Sequence, residues 1–252
     1  MSEPVYAVGD IHGHLDKLKD VHSWIAEDAA RLGYSDPKII HIGDLVDRGP
    51  DSKGVIDYMI SGHRVGRPWI TLKGNHDRMF EWFLEIPSRH DPHLLIGYHW
   101  LHDRIGGIET LMSYGVEVPE RARLYQIAAQ ARTAVPDTHT NYLRSLPLSH
   151  RHENLLFVHA GIRPGVPLDE QDEEDLVWIR DEFQVDTRDH GALIIHGHTP
   201  ISEVTHYGNR INIDTGAAYG KDLSAIVIEG NRVMQITSDG RTDIRRTGKA
   251  SQ

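Results

Sequence analysis

The sequence contains no cysteine. Disulfides, thiolate metal sites and cysteine nucleophiles are therefore excluded. No apolar run reaches the roughly 18 residues that a membrane span requires, and the N-terminal "MSEPVYAVGD" has no basic stretch followed by an apolar one. Neither a membrane partner nor a signal peptide is expected, and the default location is cytoplasmic. Positive charge is also short: 27 Lys and Arg face 37 Asp and Glu, a formal net charge of -10. That balance argues against a broad basic face, so no nucleic-acid partner is expected. An anionic substrate stays open, because the charge inside a cleft can oppose the global sign.

What is present is ordinary for a globular chain: 252 residues, 39% hydrophobic and 25% charged, enough for a sizeable core. A single domain over residues 1–252 is the expectation. Histidine is the compositional oddity, with 18 residues. Without thiolates, a transition-metal site must draw on His, Asp, Glu or Asn.

The first 80 residues alternate strand and helix signals. "PVYAVGD" (4–10), "KIIHIGDLV" (38–46) and "PWITLKGNH" (68–76) read as strands. Between them, Leu15, Leu18, Val21, Ile25, Ala29 and Leu32 recur at three- and four-residue spacing, as do Val55–Met59 and Ile56–Ile60. Those are helical periods, and the β-α-β-α-β order predicts a parallel stretch of sheet. A third helix is predicted to begin near Asp77. Residues 87–145 read as a helical insertion. "ENLLFVHAG" (153–161) and "ALIIHGHTP" (192–200) are further strands, "HYGNRINIDTG" (206–216) a hairpin, and "LSAIVIEGNRVMQIT" two more strands. The acidic "DEQDEEDL" (169–176) reads as a solvated loop or helix start. The tail after Ser238 is expected to fray.

Five strands end alike: "GDIHG" (9–13), "GDLVDRG" (43–49), "GNHD" (74–77), "HAG" (159–161) and "HGHT" (196–199). Each sets Asp, Asn or His beside glycine at a carboxyl end, the edge where open α/β sheets bind ligands. One such end is a polar turn; five of one chemical type point to a common site. If the strands are neighbours, Asp10, His12, Asp44, Asn75, His159 and His198 converge. Carboxylate, amide and imidazole donors without sulfur suit Mn, Fe or Zn, and six are too many for one four-coordinate ion. They suit two divalent ions sharing a carboxylate, an arrangement used for in-line displacement at phosphorus.

These blocks resemble the three-part signature of the phosphoprotein phosphatase family of metallophosphoesterases, with "HAG" and "GHTP" matching its downstream metal histidines. The chain looks most similar to the bacterial and bacteriophage branch, which also shows patterns like "WIRDEF" (178–183), "INIDTGA" (211–217) and "HWLHDRIGGIETLMSYG" (99–115). The resemblance implies an α/β calcineurin-like fold: a central β-sandwich of mixed sheets flanked by helices, with the site at the carboxyl ends of strands. It also implies roles. Asp10 and His12 hold one ion, Asp44 bridges, and Asn75, His159 and His198 hold the second; manganese is the first choice, with iron or zinc as alternatives. His76 is the general acid, Asp47 orients it, and Arg48 and Arg180 bind the phosphoryl oxygens. Lys73 stands where some relatives carry an arginine near the phosphate.

The resemblance favours direct attack of a metal-bridging hydroxide on a phosphomonoester. The expected substrate is a phosphoserine or phosphothreonine protein or peptide, with phosphotyrosine also open. Arginine can bind phosphate bidentately, and a poor alkoxide leaving group gains roughly 10²–10⁴-fold from an acid. The alternative is a diadenosine tetraphosphate-type phosphoanhydride hydrolase, which typically lacks the Asp-Arg pair that Asp47 and Arg48 supply here. A catalytically silent phosphoprotein-binding scaffold ranks third, since no expected position is empty. Outside the motifs, His41 reads as structural, Arg163 as a surface residue, and Trp69, Trp100 and Trp178 as core. Asp214, Tyr219 and His196 are open between supporting the site and simple turn or core roles.

Overall fold

A computed structural model describes residues 3–247. The N-terminal half builds β1 (Val5–Val8), α1 (Leu15–Arg31), β2 (Lys38–His41), α2 (Ser52–Arg64), β3 (Trp69–Thr71) and α3 (Asn75–Leu84). As the β-α-β-α-β pattern predicts, β1, β2 and β3 are parallel neighbours. The helix predicted near Asp77 begins two residues earlier, so Asn75 and His76 form its first turn. The 87–145 segment supplies α4 (Gly107–Ser113), α5 (Leu124–Ala134) and α6 (Asp137–Ser145). Leu111, Ile127, Ala131 and Leu143 from these helices share one core with Phe80 and Phe83 of α3.

The second half adds β4 (Ser149–His152), β5 (Leu155–Val158), α7 (Glu173–Trp178), α8 (Asp181–Gln184), β6 (Leu193–His196), β7 (Thr205–His206) and β8 (Arg210–Asn212). It ends with β9 (Ala225–Glu229), β10 (Arg232–Thr237), β11 (Gly240–Asp243) and β12 (Arg245–Arg246). The strands form two six-stranded sheets, ordered β11-β10-β9-β1-β2-β3 and β12-β7-β8-β6-β5-β4. Both are mixed. In the first, β9 runs antiparallel to β1, with Val8 opposite Ala225. In the second, β5, β6 and β8 are parallel, β4 is antiparallel to β5, and β7 is antiparallel to β8 but parallel to β12.

Side-chain alternation explains the layers. Val5 and Ala7 of β1, Ile40 of β2, Leu155 and Phe157 of β5 and Ile195 of β6 point between the sheets and are buried. Their alternates Tyr6, Val8 and Ile39 face α1 and α2, while Leu156, Val158 and Ile194 face Leu176, Ile179 and Phe183 around α7 and α8. Apolar on both faces, these strands carry the helix-sheet-sheet-helix layering of a sandwich. Each fully buried aliphatic side chain contributes about 1.5–3 kcal/mol.

One sequence expectation is corrected and one strand is new. The tail does not fray after Ser238. β11 pairs with β10, β12 pairs with β7, and Ile244 enters the core between the sheets. Arg241 adds ion pairs to Asp28 (2.7 Å) and Glu229 (2.6 Å). The end of the tail, residues 248–252, lies outside the described residues. The edge strand β4 was not anticipated, because its sequence, SHRH, carries no apolar alternation.

Candidate metal centre

The five strand ends do converge, but from both sheets: β1, β2 and β3 on one side, β5 and β6 on the other. Backbone bonds tie the loops together before any side chain acts. Ile11 N and His12 N both donate to Asp44 O (3.1 and 2.8 Å), and Gly13 N donates to Leu45 O (2.8 Å). Asp77 closes the third loop, its carboxylate accepting from Gly74 N and Leu45 N, both at 2.9 Å. The sequence reading gave Asp77 no role; its place in "GNHD" was the only signal. Among the described residues, the non-glycine residues with left-handed backbone are His12, Asp44, Asp47, Arg48, His198 and Glu153. Five of these six belong to the expected site, and such conformations cluster where function over-determines the backbone.

All six expected ligands are buried. Asn75 Oδ1 lies 3.0 Å from His159 Nε2 and 2.9 Å from His198 Nδ1. Asp44 reaches both sides, with one oxygen 3.4 Å from His159 Nε2 and the other 3.5 Å from His12 Nε2. Two histidines are oriented from behind. His12 Nδ1 is 3.0 Å from Val46 O, and His159 Nδ1 is 2.9 Å from Ile42 O. A carbonyl can only accept, so each Nδ1 carries a hydrogen and each Nε2 faces the site, where it can offer its lone pair to a cation. Asp10 Oδ2 accepts from the His198 backbone N–H (3.0 Å), while Asp10 Oδ1 is buried with no hydrogen-bond partner. Gly197 makes room for it: a Cβ there would stand 2.1 Å from Asp10 Oδ1.

This donor set fits divalent cations. His12, Asp44 and His76 form one cluster whose donor atoms all lie within 4.8 Å, and Asp44, His159 and His198 form a second. Asp44 belongs to both, as a shared ligand must. Burial pushes Asp10 well above the usual carboxylate range, with Asp214 and Asp44 adding repulsion. Burial likewise raises Asp214 to about 6. Buried carboxylates so close together need positive charge to remain ionised. His159 is pushed the other way: burial opposes its charge, but Asp44 and Asp10 raise it to about 9.

His76 joins the first cluster geometrically, yet its Nδ1 is committed to Asp47 Oδ2 at 2.7 Å. Burial lowers His76 to about 3 and raises Asp47 to about 8. Both directions reflect the cost of isolating one charge, so a proton shared across the pair is the balanced arrangement. Arg48 NH1 lies 3.2 Å from His12 Nε2, and its guanidinium sits 5.1 Å from the ring centre of Tyr219. Arg180 Nε donates to His198 Nε2 (3.0 Å). His12, Asp44, Arg48, His76, Arg180 and His198, with Asp214 and Tyr219, line a small cavity of about 60 Å³.

The remaining expectations sort clearly. Asp214 and Tyr219 line the cavity. Lys73 does not; it is nearly buried in an ion pair with Glu81 (2.7 Å), which removes it from the phosphate position. His41 is structural, its Nε2 2.9 Å from His22 Nε2. His196 is buried in the core, its Nε2 3.1 Å from Arg210 and its ring edge-on to Phe183. Arg163 is paired with Asp175 and Glu182. Trp69 is packed among His22 and Tyr58, as expected for core. Trp178 is half-buried, its ring edge-on to His198 at 5.6 Å. Trp100 is core too, but its indole N–H donates to Asp47 (2.9 Å), a contact no sequence pattern announced.

Comparison with known proteins agrees with this geometry. The bis(5'-nucleosyl)-tetraphosphatase PrpE (asymmetrical) of Anoxybacillus flavithermus is 26% identical over 239 residues, covering 87% of this chain and 88% of that protein. The protein of the same name from Oceanobacillus iheyensis is 26% identical over 255 residues, covering 86% of each. Among solved structures, one provisionally named a diadenosine tetraphosphatase superposes with a TM-score of 0.63 at 22% identity, covering 94% of both chains. A cold-active protein-tyrosine phosphatase of the psychrophile Shewanella sp. gives 0.61 at 16% identity, covering 97% of this chain and 81% of that one. Such structural likenesses bear on the fold alone. The profile of one family, described as calcineurin-like phosphoesterase, matches residues 3–228. The chain belongs to the calcineurin-like phosphoesterase family of metal-dependent hydrolases.

Proposed function

We propose that this protein hydrolyses bis(5'-nucleosyl) tetraphosphates, splitting the phosphoanhydride chain asymmetrically into a nucleoside triphosphate and a nucleoside monophosphate. The observation that carries this reading is the near full-length match to relatives named for that activity. The sequence reading ranked it second, behind a phosphoserine/phosphothreonine phosphatase, because Asp47 and Arg48 are present. The relatives reverse that order.

Asp10 and His12 would hold one divalent ion and Asn75, His159 and His198 the other, with Asp44 shared; manganese, iron or zinc each suits these donors. Bound there, such ions would polarise phosphoryl oxygens and lower the pKa of water, the usual contribution of a two-metal site. Arg48 and Arg180 flank the cavity and would clamp non-bridging oxygens, Arg48 with a planar fork suited to phosphate. His76 would protonate the leaving oxygen. The anionic substrate fits a chain of net charge -10 because two cations and two arginines outweigh the carboxylates locally.

A second reading, phosphomonoester hydrolysis on a protein or peptide, is favoured by one specific feature. The His76–Asp47 pair is fully built, and a general acid matters most when the leaving group is an alkoxide. One experiment separates the two. Purified protein with Mn is given diadenosine tetraphosphate and phosphoserine, phosphothreonine and phosphotyrosine peptides in parallel, and the products are resolved by chromatography. The proposal expects ATP and AMP in equal amounts from the dinucleotide, at kcat/KM well above that for any peptide. Preference for a phosphopeptide would establish the second reading, and two molecules of ADP would refute asymmetric cleavage.

A further inference from the structure

Residues 99–113 contribute none of the six expected metal ligands, yet they meet at Asp47 and Arg48. Trp100 Nε1–H donates to Asp47 Oδ2 at 2.9 Å, the same oxygen that accepts from His76 Nδ1. Thr110 Oγ1–H donates to Asp47 Oδ1 at 2.7 Å. The Thr110 oxygen in turn accepts from the Asp47 backbone N–H (2.9 Å), and Ser52 Oγ lies 2.9 Å away to donate into it. Gly106 O accepts from Arg48 N at 3.1 Å. Only glycine fits at 106: its φ is +92°, and a Cβ there would meet Arg48 N at 2.4 Å. Asp47 and Arg48 both hold left-handed backbone, which needs such outside support.

We propose that Trp100 and Thr110 are positioning residues that grip both oxygens of Asp47 and thereby aim His76 at the leaving group. The proposal rests on the reading of His76 as the general acid. Two donors besides His76 on one fully buried carboxylate leave it a single rotamer and direct its remaining capacity at His76 Nδ1. Trp100 is itself fixed, stacked on Phe80 (5.1 Å between centres, 17° apart) and packed against Phe83 (4.7 Å). The step served is the breaking of the phosphorus–oxygen bond. The leaving oxygen keeps the electron pair and takes the proton from His76 Nε2. Water forms the new bond to phosphorus and gives up one proton. The helical insertion thus becomes part of the acid's mounting, and a packing role alone would not bring an indole N–H and a hydroxyl onto the two oxygens of one carboxylate.

The test uses full-length Mn-loaded protein with Trp100→Phe, Thr110→Val, the conservative Thr110→Ser, and His76→Asn as reference. Each is assayed on 4-nitrophenyl phosphate, whose leaving group needs little protonation, and on phenyl phosphate, whose leaving group needs more. Trp100→Phe and Thr110→Val are expected to lose about tenfold or more in kcat on phenyl phosphate and less than about threefold on 4-nitrophenyl phosphate. Thr110→Ser should behave as the parent. In the zinc-loaded proteins, whose ion is diamagnetic, the far-downfield proton resonance of the His76 Nδ1–H to Asp47 bond should shift in both disruptive variants and stay in place in Thr110→Ser. If Thr110→Val fails to fold, Trp100→Phe carries the same test with its ring packing kept. Equal losses on the two substrates with an unmoved resonance, while His76→Asn still discriminates between them, would overturn the positioning role and leave the acid reading standing. Equal losses in His76→Asn itself would overturn the acid reading, and the positioning role with it.

Discussion

Replacing Arg78 by methionine removes a guanidinium that faces three carboxylates from inside α3. Its side chain is 1% exposed, and its closest fully buried partner is Asp91, at 2.9 Å. Glu173 and Glu174 lie at 3.5 and 3.0 Å but are about half exposed. Exposed pairs contribute about 0–1 kcal/mol each, so Asp91 decides the outcome. Breaking a buried pair by removing one partner costs about 3–5 kcal/mol, because the other charge is left behind. Asp91 keeps His93 N (3.0 Å) and Trp178 Nε1 (3.1 Å) as donors, with His93 Nδ1 at 3.3 Å, which places the expected loss near the lower end, about 3 kcal/mol. Methionine retains most of the apolar stem, so packing contributes little to the loss. For a chain of this size that loss corresponds to a fall in Tm of about 6–12 °C. The assay is urea unfolding of Arg78→Met, Asp91→Asn and the double variant. The double variant should be more stable than Arg78→Met alone, since it no longer buries a lone carboxylate. A loss below about 1 kcal/mol, or a double variant no better than the single one, would refute the reasoning. The consequence reaches the site, because α3 begins with Asn75 and His76 and α7 leads into Arg180.

Arg48→Lys keeps the charge but loses the planar fork, so kcat/KM should fall by about 10–100-fold, corresponding to about 1.5–3 kcal/mol; an unchanged value in steady-state kinetics would remove Arg48 from the phosphate. Burial works against the charge of Asp28, but its hydrogen bonds from Arg241 and Tyr6 hold its carboxyl below the ordinary value. That depression stabilises the fold at neutral pH and is lost as pH falls from about 4 through the folded value. Arg241→Ala should therefore cost about 1.5–3 kcal/mol at pH 7 and progressively less in acid, and a denaturation difference constant with pH would contradict the pairing.

The site was legible because its chemistry is local in sequence: each expected ligand sits beside glycine at the end of an apolar run; His12, Asp44, His159 and His198 fall in the two donor clusters, Asn75 touches His159 and His198, and Asp10 is buried against the His198 backbone N–H. The β-α-β-α-β start was legible from two clean periodicities. The residues that hold this chemistry in place were not. Trp100 and Thr110 act 53 and 63 positions from Asp47, and nothing in their own neighbourhood marks a buried donor. Lys73 has the right charge beside "GNHD", but Glu81 lies two turns along α3 and captures it. The C-terminal strands escaped notice because β11 and β12 are polar edge strands, held by pairing and by Arg241 more than by apolar alternation. The ranking of substrates was not legible for a different reason. Asp47 and Arg48 would serve proton transfer and phosphate binding, and both roles are compatible with an anhydride as well as an ester.

The central claim is that five strand ends from two sheets form one two-metal site with Asp44 shared. Its most direct test is metal content by mass spectrometry after stripping, incubation with Mn and removal of loosely bound ions, for the parent, Asp10→Asn and Asp44→Asn. The account predicts about two ions per parent chain, close to one in Asp10→Asn, and well below one in Asp44→Asn. A parent chain that takes up no metal, or an Asp44→Asn variant that retains the full parental content, would contradict it.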